Sequence, residues 1–176
     1  MNKKEVLEVW IDEYTHRLIR LAYSYVKDWQ KAEDQVQEAF IKAFNSMDQL
    51  KNKEDPFPWL ARIVINECKN SFRKSWREVI SNFIPERKLE SSEESYLRSV
   101  REEDVHNAVY HLPKHYSLPI TLFYFEDLSI QQISQILNLK SGTVKSRLAR
   151  GRELLSKKIE EDGYGGKRIK VSKNVH

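Results

Sequence analysis

Apolar residues recur at helical spacing along most of the chain and are separated by short polar breaks. Over residues 36–47 the apolar positions alternate steps of three and one, which is the pattern of a strongly amphipathic helix. Two shorter apolar stripes precede it, over residues 6–11 and 18–25, and they predict two further helices. Lys27 and Asp28 form a polar break before the third helix. The beginning of the chain is therefore expected to be helical throughout.

A longer helix is predicted from about Pro58 to Trp76, because proline favours the first turn of a helix. One of its faces is apolar at four-residue steps, so we expect Cys68 to be a small buried side chain rather than a reactive thiol. The apolar stripe of this helix consists of Leu60, Val64, Cys68 and Phe72.

Beyond this helix, residues 81–104 are dominated by serine and charged residues and lose the apolar period, which predicts a flexible acidic linker.

Apolar periodicity returns at Val105 and predicts a short helix that ends at Pro113. The next helix is expected to start at Ser117 or Leu118. That start places Pro119 in the first turn, which is the part of a helix that tolerates proline.

Together these elements predict an all-α fold of two small helical domains joined by the flexible acidic linker. The domains span residues 1–80 and 105–161, and the C-terminal domain ends in a helix-turn-helix. Residues 162–176, which contain three glycines and four basic residues, are expected to be a disordered basic tail.

The helix-turn-helix is predicted over residues 128–158. Ser129 is a suitable N-cap for its first helix and Ser141 for its second. Asn138 between them tolerates the left-handed backbone that ends a helix. Ser134 is small at a point where two crossing helices would touch. The buried stripe of the second helix would contain Val144, Leu148, Gly151 and Leu155.

The other face of this second helix is basic, because residues 140–158 hold seven Lys or Arg against one acid, Glu153. Hydroxyls and cations on one helix face suit the reading of a DNA major groove. The alternative is that a polar face merely keeps a helical hairpin soluble, although an exposed structural helix usually mixes charge signs at i,i+4 spacing. The candidate duplex contacts are Lys140, Thr143, Lys145, Ser146, Arg147, Arg150 and Arg152.

The helix after Pro58 has a second cationic face, with five bases and one acid over residues 56–77. Cations bind phosphates, asparagines bond base edges and aromatic rings stack on unpaired bases, so this face fits a nucleic-acid strand. The other interpretation is a solvated helix face with aromatic residues in the core, and Trp59 suits either one. The candidate strand contacts are Trp59, Arg62, Asn66, Lys69, Asn70 and Arg73.

The polar face of the helix over residues 36–47 combines acids and amides with Ile41. This composition is compatible with a protein docking surface, whereas a single surface isoleucine is also ordinary. Spacing alone leaves both interpretations open.

Composition and motifs exclude several classes of function. The chain has 176 residues, a net charge of +4, and only five Gly and five Pro, which disfavours a turn-rich β fold. A single cysteine excludes an internal disulfide framework. No phosphate loop, metal-ligand spacing or nucleophile elbow is present, so we expect no enzyme, no cofactor and no metal site. Acids interrupt the first segment and no apolar run would span a membrane, which predicts a cytoplasmic protein without a signal peptide or membrane insertion.

Taken together, these residues resemble the extracytoplasmic-function group of bacterial sigma factors in the sigma-70 family. The segments AEDQVQEAFIKAF and WLARIVINECKNSFRK are similar to region 2 of that family. The segment LPKHYSLPITLFYFEDLSIQQISQILNLKSGTVKSRLARGRELL is similar to region 4. The resemblance implies a dissociable subunit that gives RNA polymerase its promoter specificity, with an anti-sigma factor as a further partner.

The resemblance also implies a role for each surface. Region 2 would dock on the clamp helices of the largest polymerase subunit, and its long helix would melt and bind the −10 element as a single strand. The helix-turn-helix of region 4 would read the −35 element as duplex DNA. The docking residues would be Asp34, Gln37, Glu38 and Ile41.

Three positions depart from the family pattern. Ser117 stands where an arginine is frequent, Pro119 where an aliphatic residue is usual, and Lys140 where a proline often lies in the turn.

The alternative function is an autonomous helix-turn-helix repressor, which would bind a palindrome as a dimer and have no use for a polymerase-docking face.

Overall fold

The computed structural model describes residues 2–82 and 100–161, with backbone only for residues 76–82, 100–104 and 161. All regular elements in these residues are helical, which confirms the predicted all-α fold class. The predicted tail, and the linker apart from its two ends, lie outside the described residues. The α-helices are α1 (Lys3–Val26), α2 (Trp29–Ser46), α3 (Phe57–Asn82), α4 (Val100–Tyr110), α5 (Lys114–Ile120), α6 (Ile130–Leu137) and α7 (Ser141–Glu161), with a 3-10 turn at Met47–Gln49 and a π-helical turn at Thr121–Phe125.

The first 26 residues form one helix of 24 residues, so the prediction of two helices there was wrong. Charged residues separate the two apolar stripes in the sequence. Tyr14 lies between the stripes, is buried, and joins them into one continuous apolar face. The helix ends at Lys27, whose φ of 57° is left-handed. Asp28 then caps α2 by accepting a hydrogen bond from the Lys31 amide at 3.0 Å. The polar break was thus placed correctly.

Helices α1, α2 and α3 pack around a common apolar core. Leu18 and Leu21 of α1 and Val64 of α3 are almost completely buried there. The apolar stripe of α3 leaves the core after Cys68. Phe72, which was predicted to belong to the stripe, is 56 % exposed and lies against the Lys114 ammonium group, 4.6 Å from the ring centroid.

The C-terminal half departs from the sequence prediction at two helix starts. Helix α4 begins at Val100, within the segment predicted as linker, and α3 runs to Asn82 at its other end. Helix α5 begins directly after Pro113, so Pro119 lies inside the helix and not in its first turn. Proline has no N–H to donate to the preceding turn. The chain changes to π-helical geometry two residues later, where the Glu126 amide bonds the Thr121 carbonyl at 3.2 Å.

The helix-turn-helix forms as predicted, apart from the start of its second helix. Ser129 and Gln132 form a capping box on α6, and Asn138 ends α6 with a φ of 54°. The Ser134 hydroxyl donates to the Leu139 carbonyl in the turn. Because the Lys140 carbonyl accepts the first hydrogen bonds of α7, Ser141 is its first helical residue and not its N-cap.

The two halves of the chain contact each other. Helix α1 packs against α5, and α3 packs against α6. The basic faces of α3 and α7 are positioned by this arrangement and by the burial of the opposite side of each helix.

Candidate nucleic-acid interface

Helix α7 turns its apolar side inward and its basic side outward. Val144 is completely buried and Leu148 is 5 % exposed, which fixes the rotation of the helix. Thr143 and Arg147 on the opposite face are half-buried. The remaining candidate duplex contacts are exposed, namely Lys140, Lys145, Ser146, Arg150 and Arg152.

The side chains on this face differ in how firmly the protein already holds them. The Arg150 guanidinium pairs with Glu153 at 2.5 Å, and this hydrogen bond lowers the pKa of the Glu153 carboxyl. Arg152 donates to the Tyr124 hydroxyl at 3.2 Å. Arg147 forms no salt bridge with any described residue. Its guanidinium is therefore the one in the middle of the face that remains available for a bidentate contact with a base.

Helix α3 presents its candidate strand contacts along one face. Arg62, Asn66, Asn70 and Arg73 are exposed, whereas Lys69 is half-buried. Burial lowers the pKa of the Lys69 ammonium group, with smaller contributions from the neighbouring arginines. The face is thus a strip of cations and amides along one side of α3.

Trp59 belongs to the core as much as to the surface. Its ring meets Trp10 edge to face, with the centroids 6.0 Å apart and the planes at 67°. The residue is half-buried, so part of the indole stays accessible at the start of α3. Both interpretations of this tryptophan from the sequence are compatible with its position.

The face of α2 that was considered for protein docking is accessible. Asp34, Gln37 and Glu38 are exposed, and Ile41 is 56 % exposed. Phe44, one turn further along, is also 37 % exposed, although its spacing predicted a core position.

A groove between α1 and α2, with a volume of about 490 Å³, adjoins this face and was missed from the sequence. Its walls are mostly apolar, and residues from both ends of the continuous helix α1 line it. Its lining includes Leu7, Ile11, Ile19, Phe40, Ile41 and Phe44.

Sequence reasoning also missed the polar residues that join the two halves. Ser117 and Pro119 are buried in α5, and the Ser117 hydroxyl donates to the Ser24 carbonyl of α1. Their departure from the family pattern was the only feature of the sequence that pointed to this contact. Arg17 and Glu126 form a salt bridge at 2.7 Å in the same region, and no pattern in the sequence predicted it.

Two further findings concern other kinds of site. In the part of the chain that the structure describes, no group of three or more His, Cys, Asp or Glu is placed to hold a metal ion. Within the same residues, no helix combines the length and apolar character needed to cross a membrane.

Comparison with known proteins connects both halves to one family. The family model described as sigma-70 region 2 matches residues 10–78, and the model described as sigma-70 region 4 matches residues 102–155. Together they span more than half of the chain.

Two curated relatives match over nearly the whole length. The RNA polymerase sigma-H factor of Pseudomonas aeruginosa is 31 % identical over 169 residues, covering 89 % of this chain and 88 % of that protein. The RNA polymerase sigma factor SigV of Bacillus subtilis is 32 % identical over 153 residues, covering 86 % and 90 %.

Two solved structures share the fold. The sigma factor RpoE of Bartonella quintana, in complex with the anti-sigma factor NepR, superimposes with a TM-score of 0.74 at 25 % identity and covers 88 % of this chain and 97 % of that one. CnrH, in complex with the cytosolic domain of CnrY, superimposes with a TM-score of 0.61 at 20 % identity, covering 89 % and 88 %. The chain thus belongs to the extracytoplasmic-function group of the sigma-70 family, and it is a promoter-specificity subunit of bacterial RNA polymerase.

Proposed function

We propose that the two basic helices divide promoter recognition between them. Helix α7 reads the −35 element as duplex DNA, and α3 binds the −10 element as a single strand. The observation that carries this division is the presence of two separate cationic helix faces in one chain, each exposed and each backed by a buried apolar stripe. A repressor that acts as a dimer on a palindrome would use only the first face.

The residue types on the two faces support different modes of binding. On α7, Arg147 with the hydroxyls of Thr143 and Ser146 suits base edges in a major groove. On α3, Asn66 and Asn70 lie among cations, and amide groups can bond the edges of bases that have left the stack. Binding of unstacked bases offsets the cost of local melting, which is a few kcal/mol for each flipped base.

The exposed face of α2 is proposed to dock on RNA polymerase core, at the clamp helices of its largest subunit. Its residues are Asp34, Gln37, Glu38 and Ile41, and their exposure supports the assignment. Acids and amides around one exposed isoleucine give a surface with a polar rim and a small apolar centre, as protein interfaces commonly have.

We further propose that an anti-sigma factor binds this chain. The sigma factor RpoE of Bartonella quintana was solved with an anti-sigma factor, and CnrH was solved with the cytosolic domain of CnrY. The protein itself is proposed to have no catalytic activity and to act in the cytoplasm, where the polymerase transcribes the chromosome.

Reconstitution with RNA polymerase core tests the docking proposal. The wild-type chain should co-elute with core in gel filtration and direct run-off transcription from a cognate promoter. Ile41→Arg should abolish co-elution, because it places a large cation at the centre of the docking face. Val9→Arg is the matched control, since Val9 is an exposed apolar residue of α1 outside the groove.

The outcomes separate the hypotheses. If core does not retain the wild-type chain, the sigma function is wrong and dimeric binding to a palindrome becomes the hypothesis to test. If core retains Ile41→Arg as well as wild type, the docking face has been misplaced while the function stands.

A further inference from the structure

A side chain from outside α7 contacts the basic face of that helix. Tyr124 lies in the π-helical turn between α5 and α6, and its hydroxyl oxygen accepts a hydrogen bond from Nη1 of Arg152 at 3.2 Å. Arg152 is exposed, whereas Tyr124 is half-buried. The two residues are 28 positions apart, so the hydrogen bond connects the π-helical turn to the second helix of the helix-turn-helix.

The π-helical turn that carries Tyr124 is anchored in the core. Thr121 and Leu122 of this turn have no exposed surface. The Leu122 carbonyl accepts a hydrogen bond from the Leu128 amide at 3.0 Å, which fixes the chain just after the turn. The Phe123 ring meets the Tyr124 ring edge to face, with the centroids 4.9 Å apart. Tyr124 is therefore held in place more firmly than the long exposed side chains of α7.

Local structure on both sides brings the two groups together. The hydrogen bonds of a π-helical turn span five residues instead of four, which changes the direction of the side chains that follow. On the other side, α7 comes close to α5 at Gly151, where Ile120 and Tyr116 are the neighbours. Arg152 is the next residue of α7, so its side chain begins near the end of α5 and reaches the turn.

Arg152 lies at the edge of the exposed face of α7. It directly follows the buried Gly151, and successive residues of a helix are about 100° apart around its axis. When a helix lies in a major groove, its centre faces the base edges and its edges face the sugar-phosphate backbones. A cation at this position suits a phosphate contact, an inference that rests on the proposed reading of the −35 duplex by α7.

The acceptor of each hydrogen bond decides how much positive charge the arginine keeps. Arg150 is paired with the Glu153 carboxylate, which also lies 3.4 Å from the Lys157 ammonium group and offsets part of their charge. The Tyr124 hydroxyl is neutral, so it orients the Arg152 guanidinium without offsetting its charge. Arg152 forms no salt bridge within the described part of the chain. Its guanidinium carries further N–H donors that remain available for a phosphate.

An arginine side chain loses rotational freedom when it binds a phosphate, and a side chain that is already held loses less. We propose that Tyr124 is a positioning residue for DNA binding. Its hydroxyl holds the Arg152 guanidinium at the edge of the groove-binding face, where the guanidinium contacts a phosphate of the −35 duplex. Tyr124 acts through Arg152 and not on a base, so it contributes to affinity and not to sequence preference.

Side-chain NMR relaxation of the free full-length chain tests whether Tyr124 holds Arg152. In Tyr124→Phe the ring stays and only the hydroxyl is lost, so the Nε–H group of Arg152 should become more mobile. Its signal is the one that is missing from the spectrum of Arg152→Lys. Tyr25→Phe is the matched control, because it removes a hydroxyl from a half-buried tyrosine of α1 and should leave Arg152 unchanged. Equal mobility of Arg152 in wild type and Tyr124→Phe would overturn the proposal.

Binding of the reconstituted holoenzyme to a fluorescent promoter duplex tests the effect on DNA. Tyr124→Phe should lower the affinity about three-fold, both for the promoter and for a duplex whose −35 element is scrambled. Arg152→Ala should lower both affinities about five-fold or more, and should reduce the slope of log affinity against log salt by about one. In the Arg152→Ala background, Tyr124→Phe should have no further effect.

The remaining results of the binding experiment separate the hypotheses. If Tyr124→Phe lowers the affinity equally with and without Arg152, the tyrosine is merely structural and the proposal is wrong. A loss confined to the specific duplex would show a base contact and contradict the positioning role. If Arg152→Ala leaves both affinities unchanged, Arg152 contacts no phosphate and the proposal is wrong, while the reading of the −35 element stands.

Failure of the proposed function gives a different result. If the wild-type holoenzyme does not distinguish the promoter from the scrambled duplex, α7 does not read the −35 element and the positioning role fails with it. The mobility of Arg152 then still shows whether the hydrogen bond to Tyr124 holds the side chain.

Discussion

A Cβ atom on Gly151 would lie 2.6 Å from Cδ1 of Ile120, so α7 approaches α5 more closely here than a residue with a side chain allows. Tyr116 of α5 is nearby as well, with its Cβ 3.3 Å from the same point. This contact holds the basic helix against the rest of the C-terminal half. A side chain at position 151 would force the end of the Ile120 side chain to shift, so glycine is favoured here by packing and not by backbone conformation.

We expect Gly151→Ala to lower the free energy of unfolding by about 1 kcal/mol, because overpacking outweighs the better helix propensity of alanine. Urea denaturation measures the change. Ile120→Val removes the Cδ1 atom and should recover part of the loss in the double variant. Gly142→Ala is the control, since its Cβ would meet nothing within 4 Å and should stabilise the helix slightly. A loss from Gly142→Ala equal to that from Gly151→Ala would show that packing is not the cause.

Cys68 should be unreactive in the folded protein. Burial raises the pKa of its thiol to about 12, so almost no thiolate is present at pH 8. Iodoacetamide should label the native chain at least about a hundred times more slowly than the urea-unfolded chain, as followed by mass spectrometry. Ser156→Cys adds an exposed thiol to the same molecule and should be labelled at once. Rapid labelling of the native wild type would show that the core around Cys68 in α3 is accessible to solvent.

Arg147→Ala should weaken binding to −35 duplex DNA about ten-fold or more, since a bidentate base contact contributes about 1–3 kcal/mol of discrimination. Fluorescence anisotropy with specific and scrambled duplexes measures the effect. Arg147→Lys keeps the charge without the planar fork, so it should lose specificity while retaining nonspecific affinity. Core binding should not change, and an equal loss of core and DNA binding would contradict the assignment.

Asn66→Ala should impair open-complex formation more than closed-complex binding, because its amide is proposed to contact a base only after melting. Permanganate footprinting of unpaired thymines reports the open complex, and gel retardation reports total binding. Asn45→Ala removes an exposed amide from α2 and serves as the control. A footprint at wild-type strength in the Asn66 variant would remove this residue from the proposed site.

Docking of the two halves should become tighter as the pH rises above 8. Burial lowers the pKa of Lys27 to about 8 in the docked state, whereas the group returns toward its ordinary value of 10.5 when the halves part. The docked state then holds fewer protons between these two values, so it gains stability as the pH increases through this range. Lys27 keeps part of its surface in water, which reduces the effect to a few-fold change in the docking equilibrium.

X-ray scattering between pH 7 and pH 10 measures this change as a falling radius of gyration. Tyr23 and Asp28 are titratable residues close to Lys27 in the sequence, and the pKa of Tyr23 is itself raised, chiefly by burial and then by Asp28. Lys27→Gln should remove the pH dependence. A radius that falls equally in that variant would assign the effect to another group.

Features decided within one or two helical turns were predicted well from the sequence. Asp28 and Ser129 cap helices because their side chains reach amides two or three residues away. Asn138 ends α6 because its own backbone tolerates a left-handed conformation. The buried stripe of α7 and its exposed cations follow from the helical period alone. These caps, helix ends and helix faces depend on residues that are close together in the chain, so the sequence is enough to predict them.

Features that depend on distant segments needed the tertiary structure. Periodicity indicates that a helix face is buried, but not which element buries it or where that element ends. Phe72 was therefore predicted to be core although it is 56 % exposed and lies under Lys114 of α5. Ser117 was noted only as a departure from the family pattern, although its hydroxyl donates to the Ser24 carbonyl of α1. The salt bridge between Arg17 and Glu126 joins residues 109 positions apart. By itself the sequence determined most of the helices and which of their faces are basic. Only the packing of the two halves, which depends on contacts far apart in the chain, decided the polar contacts between them, such as the salt bridge between Arg17 and Glu126.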